Sequence, residues 1–295
     1  MYKINPIIDQ PVIGLDIGGT TIRGGRIENG RIVSALNVAV PKTRAPHDVM
    51  CVVEKVISEL MDGRIAGIGV GVPSVVDIQR GIVYDVENIP SWKEVHLKAV
   101  LEQAFGLQVH VNNDANCFAV GERYFGYGME IDDFVGLVTG TGMGAGIIKN
   151  GHLLPDQNCG AGEFGIMPYL DRSLEYYCSG NFFNAFYGRS AEDMAVLAEQ
   201  GNPEAMDAFE KYGRHLGVAI KMVMASLDPQ MVVIGGGVSQ TFQLYEQSMR
   251  REVLEFPFPG SARKIKILPS RIDNIAILGA AALYYDMHLL KAQAG

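Results

Sequence analysis

The sequence predicts an α/β protein built from two related lobes, and three observations carry that prediction. Residues 12–27 read as strand, glycine turn, strand: Ile13, Leu15 and Ile17 alternate with other residues, Gly18-Gly19 breaks the run, and Thr21–Ile27 resumes it. Residues 134–149 repeat the plan, with Phe134–Val138, the alternating glycines Gly140, Gly142, Gly144 and Gly146, then Ile147-Ile148-Lys149. Around both hairpins, apolar strands alternate with amphipathic helices, the order of an α/β chain. Two lobes that each open on a glycine hairpin imply mixed sheets and a cleft between the lobes.

The elements follow in order. Glu28-Asn29-Gly30 is a hairpin turn and Arg31–Val40 alternates again, so the chain opens as a three-stranded antiparallel meander. A P-loop or a dinucleotide-binding unit would put a helix directly after the glycines, whereas here a strand follows. Val49, Val52, Val53, Val56, Ile57 and Leu60 recur at helical spacing and predict a helix over 47–61. Ile65–Val72 is a buried strand stopped by Pro73, and residues 74–95 are expected as loop. Leu97–Phe105 is a helix ended by Gly106, Val109–Val111 a short strand, and Ala115–Phe125 a helix. Asn150-Gly151 is a second hairpin turn, and residues 155–181 show no regular pattern. A long helix spans Pro203–Leu227, Met231–Ile234 is a buried strand, and a helix is expected from about Ser239. Ile265–Leu268 is the last strand, and an alanine-rich helix runs from Ile275 to Leu290. The expected division places residues 1–113 in the N-terminal lobe and 114–276 in the second. The final helix, about 277–295, would return to the first.

Bulk properties narrow the function. The chain has 295 residues, is 48% hydrophobic and 20% charged, and carries a net charge of −8. That balance argues against nucleic acid or an anionic membrane as the main partner, since both require a basic patch. No apolar run is long enough to span a membrane, and residues 1–6 lack the apolar core of a signal peptide. The four cysteines, Cys51, Cys117, Cys159 and Cys178, have no CxxC spacing and are expected as free thiols in a cytoplasmic protein.

Several side chains stand where chemistry could use them. Asp16 ends a strand just before Gly18-Gly19-Thr20-Thr21, a turn expected to use positive φ and to expose backbone N–H groups. A carboxylate beside such a turn can organise a metal–triphosphate, the N–H groups meeting phosphate and the acid meeting Mg²⁺. Gly140-Thr141-Gly142 offers bare backbone to a second phosphate contact. Gly235-Gly236-Gly237, between a buried strand and a helix, would admit an adenosine or an α-phosphate. Asp114 follows a strand and opens a helix. It can serve as an N-cap or, facing the cleft, as the base that takes a proton from an alcohol; a helix N-terminus favours its ionised form. Asn88, Asn113, Glu163 and Glu175 are short polar side chains suited to the hydroxyls of a polyol.

In this order, Leu15-Asp16-Ile17-Gly18-Gly19-Thr20, Gly71-Val72-Pro73, Asn88-Ile89-Pro90, Asn113-Asp114-Ala115-Asn116, Gly140-Thr141-Gly142-Met143-Gly144, Gly162-Glu163-Phe164-Gly165, Leu174-Glu175, Ile234-Gly235-Gly236-Gly237-Val238 and Leu278-Gly279-Ala280-Ala281 resemble the segments of the ROK group, which comprises sugar kinases and sugar-responsive repressors. The resemblance implies two actin-like ATPase lobes, duplicated ribonuclease-H-like domains. It also implies ATP-dependent phosphorylation of a hexose or hexose derivative at its 6-hydroxyl. Asp16 with Gly18, Gly19, Thr20 and Thr21 would handle Mg²⁺ and phosphates, Gly140 to Gly144 would form the second phosphate loop, and Gly235 to Gly237 would seat adenosine. Asp114 would be the base, with Asn88, Asn113, Glu163 and Glu175 on the other hydroxyls. A homodimer is the expected assembly. Two departures stand out. The family's zinc-binding His is Ile166 here, and Pro168–Ser173 replaces its cysteine cluster, so no zinc is expected, and the usual glucose preference is expected to change, through tolerance of altered stereochemistry at the anomeric end or through another hexose. The dozen residues before the first glycine loop are also too few for a repressor's helix-turn-helix domain, although a sugar-binding regulator without kinase activity remains the alternative reading.

Overall fold

The computed structural model describes residues 10–86 and 89–294. In chain order it contains strands β1 (Val12–Ile17), β2 (Thr21–Glu28) and β3 (Arg31–Ala39), helix α1 (Pro46–Leu60) and β4 (Gly67–Val72). There follow β5 (Val75–Asp77), β6 (Ile82–Tyr84), β7 (Glu94–Val95), α2 (Leu97–Phe105), β8 (Gln108–Asn113) and α3 (Asp114–Phe125). The second hairpin is β9 (Phe134–Thr139) and β10 (Met143–Lys149), followed by β11 (His152–Leu153), β12 (Pro168–Tyr169) and β13 (Arg172–Ser173). The remainder comprises α4 (Leu174–Cys178), α5 (Asn181–Tyr187), α6 (Ala191–Glu199), α7 (Pro203–Leu227), β14 (Met231–Gly235), α8 (Phe242–Leu254), α9 (Pro259–Lys264), β15 (Lys266–Pro269) and α10 (Ile275–Ala294).

The chain divides into two compact units, one of residues 1–129, 152–161 and 272–295 and the other of 130–151 and 162–271. In the first, the strand order is β3-β2-β1-β4-β8, with β1 antiparallel to β2 and parallel to β4, and β4 parallel to β8. In the second, β10-β9-β14-β15 repeats the arrangement, β9 being antiparallel to β10 and parallel to β14. Each unit is therefore a mixed sheet seeded by one glycine hairpin. Asn29-Gly30 (φ 49° and 71°) and Asn150-Gly151 (φ 52° and 80°) both close their hairpins with consecutive left-handed residues, the two-residue turn that matches strand twist.

Glycines decide how helices seat on the first sheet. A Cβ on Gly24 would lie 2.6 Å from Val56 of α1, whereas one on Gly25 would lie 2.7 Å from Ile277 of α10. Successive strand residues face opposite sides, so α1 and α10 cover opposite faces. Contact with α10 is at backbone distance: a Cβ on Gly14 would meet the Ile277 carbonyl at 2.2 Å, and one on Gly69 the Ala280 carbonyl at 1.8 Å. Ala280, Ala281 and Ala282 are fully buried; small side chains let this helix lie directly on the strands.

The structure corrects the sequence reading in five places. The expected lobe boundary at 113/114 moves, because α3 belongs to the first unit: it packs against α10 so closely that a Cβ on Gly279 would lie 2.0 Å from the Cys117 carbonyl. Residues 74–95, expected as loop, hold the small antiparallel sheet β5-β6-β7; strands of two or three residues are too short to show a period. Residues 155–181 hold the β12–β13 hairpin, a 3₁₀ turn over Phe164–Ile166, α4 and the start of α5, again pieces below one period. The helix expected from Ser239 begins as a 3₁₀ turn, Gly237–Thr241, and becomes α-helical only at Phe242. Finally, neither Gly18 nor Gly19 has a positive φ. The β1–β2 turn is closed instead by the Gly18 N–H donating to the Thr21 carbonyl at 2.9 Å.

Candidate active site

In the first unit the candidate residues gather at the carboxyl ends of parallel strands, where α/β sheets bind ligands. Asp16 pairs in register with Gly71 and Gly71 with Asn112, so one row across β1, β4 and β8 ends in Asp16 on one side and Asn112-Asn113-Asp114 on the other. The Cys117 thiol lies against Gly71 of this row. Burial pushes its pKa well up, and the charges of Asp114 and then Asp16 push the same way. Gly71 leaves room for it, since a Cβ there would sit 3.1 Å from Sγ.

Asp16 is only 8% exposed and is held by Arg23, its cross-strand partner. Arg23 Nε and Nη2 both donate to Oδ2, at 2.9 and 2.5 Å. The pair thus grips one oxygen and leaves Oδ1 outside the clasp. Sequence reading missed Arg23. The signal was available in the hairpin register: Ile17 opposite Ile22 puts position 16 opposite 23.

The Asn-Asn-Asp set is built as a cap. Asn113 is the N-cap of α3, its Oδ1 accepting from Ala115 N at 2.8 Å, and its Nδ2 donates to the Ser74 carbonyl at 3.1 Å. Asn112, buried, accepts from Asn113 N and Asn116 Nδ2, both at 2.8 Å. Asp114 occupies the first turn rather than the cap itself, and its Oδ1 also accepts from Ala115 N at 2.8 Å. Asn113 therefore keeps one amide hydrogen and one lone pair for a ligand. Asn88 lies outside the described residues.

In the second unit the two glycine runs meet. Gly140 N donates to the Gly142 carbonyl at 3.0 Å, closing the β9–β10 turn, and a Cβ on Gly140 would find nothing within 4 Å. Gly236 (φ 85°) lies so close that a Cβ there would sit 2.4 Å from the Thr139 carbonyl, and buried Thr139 Oγ1 donates to the Gly235 carbonyl at 3.2 Å. Thr141, Gly236 and Gly237 are exposed. Two bare backbone segments thus converge at the carboxyl ends of β9 and β14, which pair in parallel.

Glu163 and Glu175 are both half-buried and flank the same strand. Gly162 (φ 87°) packs where a Cβ would lie 1.8 Å from the Ala145 carbonyl, which seats Glu163 beside β10. Glu175 Oε2 accepts from Met143 N at 2.9 Å, through a gap that exists because Gly142 has no side chain: a Cβ there would be 2.6 Å from that oxygen. Ile166 is 74% exposed. Among the described residues, no three His, Cys, Asp or Glu side chains are grouped to hold a metal ion.

The family model described as "ROK family" matches residues 12–287. The chain belongs to the ROK family. Its similar proteins include the glucokinase of Thermotoga maritima, 28% identical over 268 residues, which span 80% of this chain and 84% of that one. The N-acetyl-D-glucosamine kinase of Vibrio cholerae is 31% identical over 210 residues, spanning 62% and 69%. Among solved structures, the ROK family glucokinase from Streptomyces griseus, in complex with glucose and AMPPNP, superposes with a TM-score of 0.78 at 28% identity, over 92% of this chain and 98% of that one. The strand order of both units is thus the ROK framework, the actin-like ATPase fold. No helix among the described residues of this ROK protein is long and apolar enough to cross a membrane.

Proposed function

We propose that this ROK protein is a cytoplasmic kinase that transfers the γ-phosphoryl group of ATP to the 6-hydroxyl of a hexose or hexose derivative. The observation that carries the reading is the strand-end row of the first unit, which sets Asp114 at a helix N-terminus and Asp16 at the glycine turn, with one parallel strand between theirs. Phosphoryl transfer needs these parts: a carboxylate for the acceptor proton, and positioned positive or N–H groups for the phosphates. The relatives named glucokinase and N-acetyl-D-glucosamine kinase agree with the substrate class.

Asp114 accepts the hydroxyl proton as the oxygen attacks the γ-phosphorus; the bond to the β–γ bridging oxygen breaks and ADP leaves. A weak base suffices because proton removal can come late. The Gly18–Thr21 and Gly140–Gly142 turns serve the phosphates through N–H groups other than those of Gly18 and Gly140, which close the turns themselves, and Gly235–Gly237 takes the adenosine. Asp16 fits Mg²⁺, directly or through water: its Oδ1 stays outside the Arg23 clasp, and one carboxylate plus phosphate oxygens is a usual set for that ion. When bound, Mg²⁺ would supply neutralisation of phosphate charge. Asn88, Asn113, Glu163 and Glu175 hold the other hydroxyls. Ile166 offers no hydrogen bond, so the anomeric end falls to the two glutamates, and the protein is expected to depart from a strict glucose preference, either by tolerating altered stereochemistry at that end or by favouring another hexose such as allose, fructose or mannose. The assembly is proposed to be a homodimer. A coupled ADP-release assay across a hexose panel tests the reading: turnover on at least one hexose is expected, and none on any of them would overturn it.

A further inference from the structure

The middle of the chain between Glu163 and Glu175 is held by phenols rather than by apolar packing. After the 3₁₀ turn it forms the β12–β13 hairpin, whose tip residue Leu170 has φ 52°. Phe164 and Leu174 are buried at the two ends of the segment, but Ile166 and Leu170 are 74% and 68% exposed, so apolar packing does not anchor the hairpin between them. Two hydroxyls do. Tyr169 Oη lies 3.0 Å from His215 Nδ1, and Tyr177 Oη donates to Asp171 Oδ1. Tyr169 and Tyr177 meet edge to face at 5.4 Å, and His215 lies 4.9 Å from the Tyr177 ring. Burial pulls the pKa of His215 down, which favours the neutral ring whose Nδ1 can accept the Tyr169 proton.

His215 stands on α7, whose fully buried Tyr212 and Leu216 flank it. Tyr212 Oη in turn donates to the Cys178 carbonyl at 3.1 Å, at the far end of α4. The helix α4, which carries Glu175 in its first turn, spans five residues and has no side-chain cap; a single turn does not hold itself by propensity. Its start is fixed by Leu174 N donating to the Met167 carbonyl at 2.9 Å, a bond that depends on the hairpin.

We propose that Tyr169 and His215 are positioning residues for Glu175: their hydrogen bond ties the β12–β13 hairpin to α7, and the hairpin sets the start of α4 so that the carboxylate stays on the Met143 N–H. The consequence for sugar affinity rests on the reading of Glu175 as a sugar ligand. The test pairs two readouts on the full chain. In Tyr169→Phe and in His215→Leu, amide exchange at Met143 should quicken about threefold to tenfold, the range for losing one hydrogen bond, while the neighbouring β10 amides stay as in wild type. The KM for sugar should rise by about the same factor, with kcat and the KM for ATP unchanged. His215→Asn, whose side-chain oxygen can replace Nδ1 as acceptor, should restore both. Unchanged Met143 exchange in the two disrupting variants overturns the positioning role, whatever the sugar kinetics. Quickened exchange with unchanged sugar KM leaves the positioning intact and overturns the role of Glu175 as a sugar ligand. A wild-type protein with no hexose turnover overturns the kinase reading instead, and the exchange result still judges the hydrogen bond.

Discussion

Replacing Asp114 by Asn separates catalysis from stability. The cap of α3 is Asn113, whose Oδ1 reaches Ala115 N at 2.8 Å, and that bond survives the substitution. Asn at 114 also keeps an oxygen for the same N–H, which Asp114 Oδ1 now meets at 2.8 Å. What disappears is one negative charge in the first helical turn, worth about 0.3–1 kcal/mol against the helix dipole. At a few degrees of Tm per kcal/mol for a chain of this size, the melting temperature should fall by no more than about 4 °C. Loss of a general base costs about 10²–10⁴ in rate, or about 3–5 kcal/mol at 1.36 kcal/mol per decade. The catalytic effect therefore exceeds the stability effect several-fold, and the two cannot be confused. Coupled ADP release at saturating sugar and ATP gives kcat, calorimetric titration gives sugar affinity, and a thermal melt gives Tm. The expected outcome is a kcat lowered at least a hundredfold with sugar affinity and Tm nearly intact. A kcat within tenfold of wild type would refute Asp114 as the base.

Glu163→Gln and Glu175→Gln should each raise the KM for sugar by about tenfold or more, since a charge-assisted hydrogen bond contributes about 1.5–3 kcal/mol; the KM for ATP should hold, and two kinetically silent variants would contradict the assignment. Gly69→Ala should fail to give folded protein or should melt far below wild type, because the added carbon would sit 1.8 Å from the Ala280 carbonyl; a Tm within a few degrees of wild type would contradict the packing. His215 has a folded-state pKa below its ordinary value because burial disfavours the imidazolium. The unfolded chain then binds the extra proton first, so this contribution to stability is present above about pH 6.5 and is lost as pH falls toward the folded value. The Tm of wild type minus that of His215→Asn should accordingly shrink between pH 7.5 and 5, and a constant difference would argue against it. Metal analysis of chelator-washed protein should find no stoichiometric zinc, and one zinc per chain would defeat that expectation.

Much of the fold was legible locally. The Asn-Gly turns, the glycine hairpins at 18 and 140, the 25-residue helix α7 and the strand β14 each follow from period, turn chemistry or capping, which act over a few residues. The short pieces β5 to β7, β12, β13 and α4 were not legible, because strands of two or three residues and a one-turn helix have too little sequence to show a period and exist only through tertiary contacts. Candidate side chains were recognisable as types in a familiar order; what they touch was not. Asp16 is gripped across the hairpin by Arg23, Asn113 caps its own helix but also reaches the Ser74 carbonyl, and Glu175 is anchored on the Met143 amide of a strand; the Arg23, Ser74 and Met143 contacts are cross-strand or long-range.

Residue chemistry along the chain thus determined two glycine-hairpin sheets and the set of carboxylates and amides from which a sugar-phosphorylating site can be made. Only the tertiary structure decided where the first unit ends, because α3 stays with it through glycine-thin contact with a helix from the far end of the chain. It also decided which partner each acid has. Pairing across strands and packing at backbone distance join residues tens to hundreds of positions apart, and local sequence contains no signal for which distant carbonyl a missing Cβ will face.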